Sequence, residues 1–162
     1  MMRVKLYSDG SARGNPDGPG GYGTILQYVD SKGELHEREY SKGYIKTTNN
    51  RMELRGVITG LEALNKPCSV EVISDSKYVT EAFNSKWIDN WQKNNWRKSD
   101  KKPVLNVDLW KRLLKAVNGH DVSFTWVKGH DGHPENERCD KLAVAAALGD
   151  DLIDDIIEEV IL

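Results

Sequence analysis

The chain has 162 residues, a formal net charge of -2 at pH 7, and apolar and charged fractions of 38% and 30%. This length and composition predict one globular domain whose core needs no disulfide or metal, and no apolar run approaches the roughly 18 residues of a membrane span. The first residues enter a predicted strand with no charged and then apolar leader, so we expect a cytoplasmic location. We also expect a monomer.

The charge is distributed unevenly. Residues 86–115 carry nine basic and three acidic side chains, a net charge of +6, whereas residues 149–162 carry six acidic side chains and no basic ones. The basic segment favours contact with a polyanion such as nucleic acid, although the whole chain is slightly acidic. Cys68 and Cys139 lack metal-ligand spacing, and we expect them to be buried thiols.

The first part of the chain predicts three antiparallel strands. Residues 4–11 alternate between the two faces of a strand, and a glycine-rich loop over residues 14–21 ends it. Residues 22–29 and 35–44 predict the next two strands, joined by a turn at 30–33.

Helices and strands alternate in the rest of the chain. Capping residues at 47–50 precede apolar residues at three- and four-residue spacing, which predicts a helix. The later predicted elements are a strand at 70–74, a helix from Asp75, a helix at 108–117, a strand at 122–126 and a helix at 134–148. We therefore expect a mixed α/β fold, a five-stranded sheet covered by helices, in which strands one, four and five run parallel.

The domain boundary follows from the same pattern. Residues 1–148 hold all the predicted core elements, and residues 149–162 are interpreted as an acidic tail and not as a separate domain. We expect this tail to be an exposed short helix or a disordered end.

Four carboxylates occupy positions where a site could form. Asp9 and Asp75 stand at the ends of parallel strands, Glu53 lies in the first turn of a helix, and Asp140 lies on the last helix. Four such anions in one place would require a divalent cation, and oxygen ligands alone favour Mg²⁺ or Mn²⁺ over zinc. His130, in a glycine-flanked loop, could transfer a proton beside them.

Each of these residues also has a structural interpretation. Asp9 could cap a turn, Asp75 could cap a helix, and Glu53 could complete a capping box with Asn50 three residues earlier. Asp140 could lie on a solvated helix face, and His130 could be a surface residue without a role. The sequence alone does not bring the five side chains together.

Several long motifs resemble those of bacterial type 1 ribonuclease H, and the resemblance runs from residue 4 to about 147. The motifs begin at Asp9 (DGS), Gly14 (GNPDGPGGYG), Thr48 (TNNRMEL), Asp75 (DS) and Gly129 (GHDGHPENERCD). The resemblance implies a metal-dependent endonuclease with the ribonuclease H fold that hydrolyses the RNA strand of RNA/DNA hybrids, leaving 5′-phosphate and 3′-hydroxyl ends. It also implies that Asp9, Glu53, Asp75 and Asp140 bind metal and that His130 is catalytic, with two Mg²⁺ ions when substrate is bound and Mn²⁺ as a possible substitute.

The resemblance further implies contacts to each strand of the hybrid. Asn15, Asn49 and Asn50 would contact the RNA, whose 2′-hydroxyl distinguishes it from DNA. The implied DNA contacts are a phosphate pocket at Lys46, Thr48 and Asn106, and a basic protrusion that includes Trp87, Trp91, Lys93, Arg97 and Lys98. Trp87 and Trp91, four residues apart, could equally be core residues.

The chain departs from the family pattern at three positions. Lys46 stands where arginine is frequent, Lys77 where glutamine is common, and Asp131 adds an acid next to His130. Transposases, integrases and resolvases share the sheet and its carboxylates, so a DNA nuclease is one alternative. A hybrid-binding module without catalysis is another.

Overall fold

The computed structural model describes residues 1–14 and 17–157, and these form a six-stranded mixed sheet covered by helices on both faces. The strand order is β5-β4-β1-β2-β3-β6. The elements in chain order are β1 (Met2–Ala12), β2 (Gly18–Val29), β3 (Leu35–Thr47), α1 (Asn49–Glu62), β4 (Cys68–Ser74), α2 (Lys77–Asn84), α3 (Trp87–Lys93), α4 (Val107–Val117), β5 (Asp121–Trp126), α5 (Pro134–Leu148) and β6 (Leu152–Ile153).

The strand directions agree with the sequence prediction. Strands β1, β2 and β3 form an antiparallel meander, whereas β1 pairs in parallel with β4, and β4 with β5. Helical crossovers connect the parallel strands, as such connections require. The carboxyl ends of β1, β4 and β5 therefore meet at one edge of the sheet.

The two faces of the sheet hold separate cores. Leu6 faces the larger core, which includes Val57 and Ile58 of α1 and Trp110 of α4. The next residue, Tyr7, faces the opposite side of the strand and packs with a smaller cluster that contains Cys139 of α5. This alternation places α1 and α5 on opposite faces of β1.

Three local expectations need correction. The sheet has six strands and not five, because Leu152 and Ile153 pair in parallel with Gly43 and Tyr44 of β3. The expectation of an exposed short helix or a disordered end is wrong for the described part of the tail, since this strand pairs and Asp155 is buried. Residues 158–162 lie outside the described residues.

The third correction concerns helices. Residues 87–93 form α3, a short helix that the mixture of bases and aromatic residues did not predict. Cys68 and Cys139 are free and buried, as expected. Among the described helices, none has the length and apolar character needed to cross a membrane.

Candidate active site

Asp9 and Asp75 are brought together by the pairing of two parallel strands. Ser8 of β1 lies opposite Ser74 of β4, so the next residue of each strand emerges at the same edge of the sheet. Asp9 is 8% exposed, and its Oδ1 accepts a hydrogen bond of 2.9 Å from the backbone N–H of Gly10. The sheet therefore fixes two carboxylates side by side.

Glu53 reaches the same point from α1. Helix α1 packs so closely on the end of β1 that a Cβ on Gly10 would lie 2.7 Å from the backbone nitrogen of Glu53. The absence of a side chain at Gly10 is thus a requirement of this packing. Carboxylate oxygens of Asp9, Glu53 and Asp75 all lie within 4.8 Å of one another.

This crowding changes the proton affinity of the three groups. Burial first, and then the charge of Asp75, raise the pKa of Asp9 to about 8. Burial and the charge of Asp9 raise the pKa of Glu53 well above its usual range, and burial also raises the pKa of Asp75. Two buried carboxylates and a third that is partly buried cannot all stay ionised at neutral pH unless a positive charge compensates them.

The donor set suits a divalent cation. No hydrogen-bond donor among the described residues reaches Glu53 Oε2, although the atom is buried. An orphaned carboxylate oxygen beside two further carboxylates is the environment that Mg²⁺ or Mn²⁺ prefers. A second group of potential ligands, at Asp30, Glu34 and His36, differs because it is not buried and Asp30 Oδ1 already accepts two backbone N–H bonds of the hairpin turn.

Asp140 and His130 lie around the same crevice but outside the three-carboxylate group. Both residues line an open crevice of about 300 Å³ together with Asp9, Glu53 and Asp75. The charge of Asp140 contributes to the raised pKa of Asp9, and His130 offsets part of the rise in the pKa of Asp75 that burial causes. The structure therefore places all five predicted side chains along one crevice. Three of them have carboxylate oxygens within 4.8 Å of one another.

The loop that carries His130 passes close to Asp75. A Cβ on Gly129 would lie 2.7 Å from Asp75 Oδ2, so the loop reaches this carboxylate only because residue 129 is glycine. His130 has a left-handed backbone with φ of 55°, which is uncommon for a residue with a side chain. The exposed imidazole is thus held at the rim of the crevice.

The helix caps exclude two of the structural interpretations. Thr48 is the N-cap of α1, and its side chain accepts from the backbone of Arg51, so Glu53 does not form a capping box with Asn50. Ser76 is the N-cap of α2 and accepts from Val79. Asp75, one residue earlier, is not the cap, and its side chain faces the other carboxylates.

The structure describes two of the three residues that were predicted to contact RNA. Asn49 and Asn50 are exposed at the first turn of α1, and Asn49 lines the crevice next to Glu53. Asn15 lies outside the described residues. Their contact with RNA remains a prediction, although the position of Asn49 is compatible with it.

The three predicted residues of the DNA-phosphate pocket differ in their surroundings. Lys46 is exposed, with its Nζ 3.9 Å from Asp17. Thr48 and Asn106 are both bonded to Arg51: the Arg51 backbone N–H donates to Thr48 Oγ1 (3.2 Å), and Nη1 donates to Asn106 Oδ1 (3.3 Å). Arg51 thus connects two members of the predicted pocket.

The basic protrusion is built around α3. Trp91 packs edge-on against the buried Trp110, with ring centroids 5.3 Å apart, so it also belongs to the core. Trp87 is 37% exposed and lies at the surface. The remaining predicted DNA contacts, Lys93, Arg97 and Lys98, are exposed.

Two features near the site were not predicted. The indole N–H of Trp126 donates to the backbone carbonyl of Asp75 at 3.0 Å, and Lys77 places its ammonium 4.8 Å from the centroid of that indole ring. Asp155 bonds to Arg51 and Arg55 across about 100 residues of sequence. No local pattern signals either contact, because each depends on tertiary packing.

Comparison with known proteins identifies relatives over most of the chain. The ribonuclease H family model matches residues 1–148. A protein named Ribonuclease H from Lachnoclostridium phytofermentans is 65% identical over 158 residues, covering 98% of this chain and 100% of that protein. Another of the same name, from an Escherichia coli O127:H6 strain, is 53% identical over 154 residues, with 95% of each chain covered.

Solved structures show the same architecture. One described as LC9-RNase H1, a type 1 RNase H with the type 2 active-site motif, superposes with a TM-score of 0.83. It is 36% identical, and the match covers 91% of this chain and 72% of that one. The mixed sheet with its meander and parallel strands is therefore the fold of these relatives.

Proposed function

The chain belongs to the ribonuclease H family and is a nuclease, and we propose on that premise that it hydrolyses the RNA strand of RNA/DNA hybrids as an endonuclease. The observation that carries this proposal is the convergence of Asp9, Glu53 and Asp75, whose oxygens lie within 4.8 Å of one another at the carboxyl edge of the sheet. Residues 1–148 would form the catalytic domain, in line with the extent of the family match.

Divalent metal is part of the proposal. Asp9, Glu53, Asp75 and Asp140 are the residues that would hold two ions with substrate bound, Mg²⁺ or alternatively Mn²⁺. Such ions, when bound, would activate a water molecule and stabilise the leaving 3′ oxygen in an in-line displacement. The raised pKa values of the carboxylates and the orphaned Glu53 oxygen support a cation at this position.

The protein's own groups have distinct tasks in this reaction. The sheet and α1 hold the carboxylates, and an imidazole nitrogen of His130 at the rim of the crevice transfers a proton. Water oxygen forms a bond to phosphorus while the bond to the 3′ oxygen breaks, which leaves a 5′-phosphate and a 3′-hydroxyl. No covalent intermediate with the protein is required.

The surface around the crevice supports a hybrid substrate. Asn49 can donate to and accept from a 2′-hydroxyl beside the carboxylates. Thr48 and Asn106, joined through Arg51, offer neutral donors for a DNA phosphate, and exposed Lys93, Arg97 and Lys98 add positive charge. The cytoplasmic location and the monomeric state remain predictions from the sequence.

The decisive experiment is cleavage of a hybrid whose RNA is end-labelled, with Mg²⁺ and with EDTA, beside duplex RNA and duplex DNA. We expect cutting of only the RNA strand of the hybrid, and only with metal. Asp75→Asn should lower turnover at least about 100-fold, because one charged metal ligand is removed. Asp121→Asn, at an exposed position at the start of β5, is the matched control and should cut normally. Metal-independent cleavage, or cleavage of duplex DNA, would overturn the proposal.

A further inference from the structure

Asp155 lies in the acidic segment after β6, yet its side chain is only 2% exposed. Its Oδ2 accepts from Thr47 Oγ1 and from Arg51 Nε at 2.8 Å. Its Oδ1 accepts from Arg51 Nη2 at 3.1 Å and from Arg55 Nε and Nη2 at 3.1 and 2.6 Å. A single carboxylate from the tail therefore holds two guanidinium groups of α1.

Every side-chain N–H group of Arg51 donates a hydrogen bond. Besides the two bonds to Asp155, Nη1 and Nη2 bond to the two carboxylate oxygens of Asp108 at 3.0 and 2.8 Å, and Nη1 also donates to Asn106 Oδ1. All five N–H groups of the guanidinium thus have an acceptor. Asp155 supplies two of these five acceptors, so the orientation of Arg51 depends on it.

The orientation of the Arg51 guanidinium sets the orientation of the neighbouring Asn106 side chain. Since arginine can only donate, Asn106 turns its oxygen toward Arg51, and its amide nitrogen donates to the Tyr78 hydroxyl at 3.1 Å. The same nitrogen carries a second N–H, the group that would donate to a phosphate. Thr48 accepts from the backbone N–H of Arg51, a bond that does not depend on the guanidinium. Asn106, whose orientation does depend on the guanidinium, is one of the three residues assigned above to the DNA phosphate.

We propose that Asp155 is a positioning residue for hybrid binding: it acts through the guanidinium of Arg51 to orient the Asn106 amide toward a phosphate of the DNA strand. This inference rests on the proposed function. It gives the acidic segment after α5 a role in substrate binding. Asp155 bonds to Thr47, Arg51 and Arg55, and not to the carboxylates of the crevice. Arg51 makes two hydrogen bonds to Asp108 and two to Asp155, and these paired bonds hold its guanidinium in one orientation.

A purely stabilising ion pair would give a different result from a positioning one. Asp155→Asn should raise KM for the hybrid roughly threefold to tenfold while kcat changes less than about twofold, because a donor to the ground-state complex is misplaced and the carboxylate site is intact. Val57→Ala, which opens a cavity in the core on α1, is the control for reduced stability. It should lower the melting temperature without raising KM.

Two further measurements make the test specific. In the Asn106→Ala background, the effect of Asp155→Asn on KM should largely disappear, because the two residues act in series. The side-chain amide resonance of Asn106 in a ¹⁵N-correlated spectrum should move in Asp155→Asn and stay in place in Val57→Ala. If Asp155→Asn fails to fold, Arg51→Lys replaces it, since lysine cannot reach five acceptors and should raise KM similarly.

The outcomes separate the two proposals. A parent protein that does not cleave the hybrid contradicts the proposed function, whatever the spectrum of Asn106 shows. A parent that cleaves, with an Asp155→Asn variant that has only a lower thermal stability and keeps both KM and the Asn106 resonance, overturns the positioning role alone.

Discussion

The raised pKa of Asp9 links the crevice to the stability of the fold. Burial and the neighbouring Asp75 raise the pKa of Asp9 to about 8 from an ordinary value of 3.8. At neutral pH the folded, metal-free protein therefore favours the protonated form of Asp9. Below about pH 4 Asp9 is protonated in both the folded and the unfolded state, so its titration does not change the free energy of unfolding. Between about pH 4 and pH 8 the free energy of unfolding falls, because the folded state holds a proton that the unfolded state has already released.

Replacing Asp9 by asparagine should remove this decrease in stability. The side-chain oxygen can still accept the Gly10 N–H bond, but the negative charge beside Glu53 and Asp75 is gone. In EDTA at pH 8 we expect the melting temperature of Asp9→Asn to exceed that of the parent by several degrees, at roughly 2–4 °C for each kcal/mol. The difference should shrink at pH 5, and Mg²⁺ should raise the melting temperature of the parent more than that of the variant.

Calorimetric scans at both pH values, with and without Mg²⁺, measure these differences. The Asp121→Asn variant, which removes an exposed charge, should melt like the parent. Equal melting temperatures of parent and Asp9→Asn in EDTA at pH 8 would contradict the electrostatic account of the crevice.

Sequence patterns were most informative for residues at element ends. Asp9 and Asp75 could be placed together because two parallel strands end at the same edge, and the structure agrees. The precise helix start was not predictable, since Thr48 caps α1 although every residue from 47 to 50 could have done so. The Asp155 contact with Arg51 had no sequence signal, because 104 residues separate its partners.

Among the elements, periodicity predicted long segments and missed short ones. Strands β1 to β5 and the longer helices have apolar residues at regular spacing, and each was predicted near its position. The boundaries were less accurate: β2 begins at Gly18, inside the segment 14–21 that was predicted as a loop, because its glycines pair with β1 and β3, and α2 begins at Lys77 and not at Asp75. The seven-residue α3 was missed because its aromatic residues serve both the core and the surface. The two-residue β6 has too few residues for an alternation, and it forms only because β3 offers an edge.

The ends of β4 and β5 provide a prediction at this scale. Ser74 pairs with Trp126, whose indole N–H bonds to the Asp75 carbonyl and so holds the backbone that carries this carboxylate. Trp126→Phe keeps an aromatic ring but removes the donor. We expect a several-fold increase in the Mg²⁺ concentration needed for half-maximal cleavage, because misaligned ligands bind metal more weakly, by up to roughly tenfold.

Lys77→Met is the matched control for Trp126→Phe. It removes the ammonium that lies over the indole ring and leaves the indole N–H bond in place. A Mg²⁺ titration of cleavage should therefore match that of the parent. If Trp126→Phe also matches it, the indole bond does not position Asp75.

Negative and positive side chains are concentrated in different parts of the molecule. The carboxylates lie at the carboxyl edge of β1 and β4, and residues 86–115, with a net charge of +6, lie between α2 and the end of α4. The tail adds acids near α1, but one of them, Asp155, is neutralised by two arginines. A net charge of -2 for the chain therefore conceals a surface that can bind a polyanion.

The salt dependence of hybrid binding tests this arrangement. Removing one basic side chain that neutralises a phosphate should reduce the slope of log affinity against log salt concentration by about one, because fewer counterions are released on binding. The triple variant Lys93→Ala, Arg97→Ala and Lys98→Ala should bind more weakly at low salt and show a shallower slope, measured by fluorescence anisotropy in Ca²⁺ or EDTA to prevent cleavage. The control triple Arg3→Ala, Lys32→Ala and Lys66→Ala removes the same charge from exposed positions outside the basic segment, toward the opposite end of the sheet, so its slope should match the parent. Equal slopes for the two triple variants would mean that net charge, and not the protrusion around α3, attracts the hybrid.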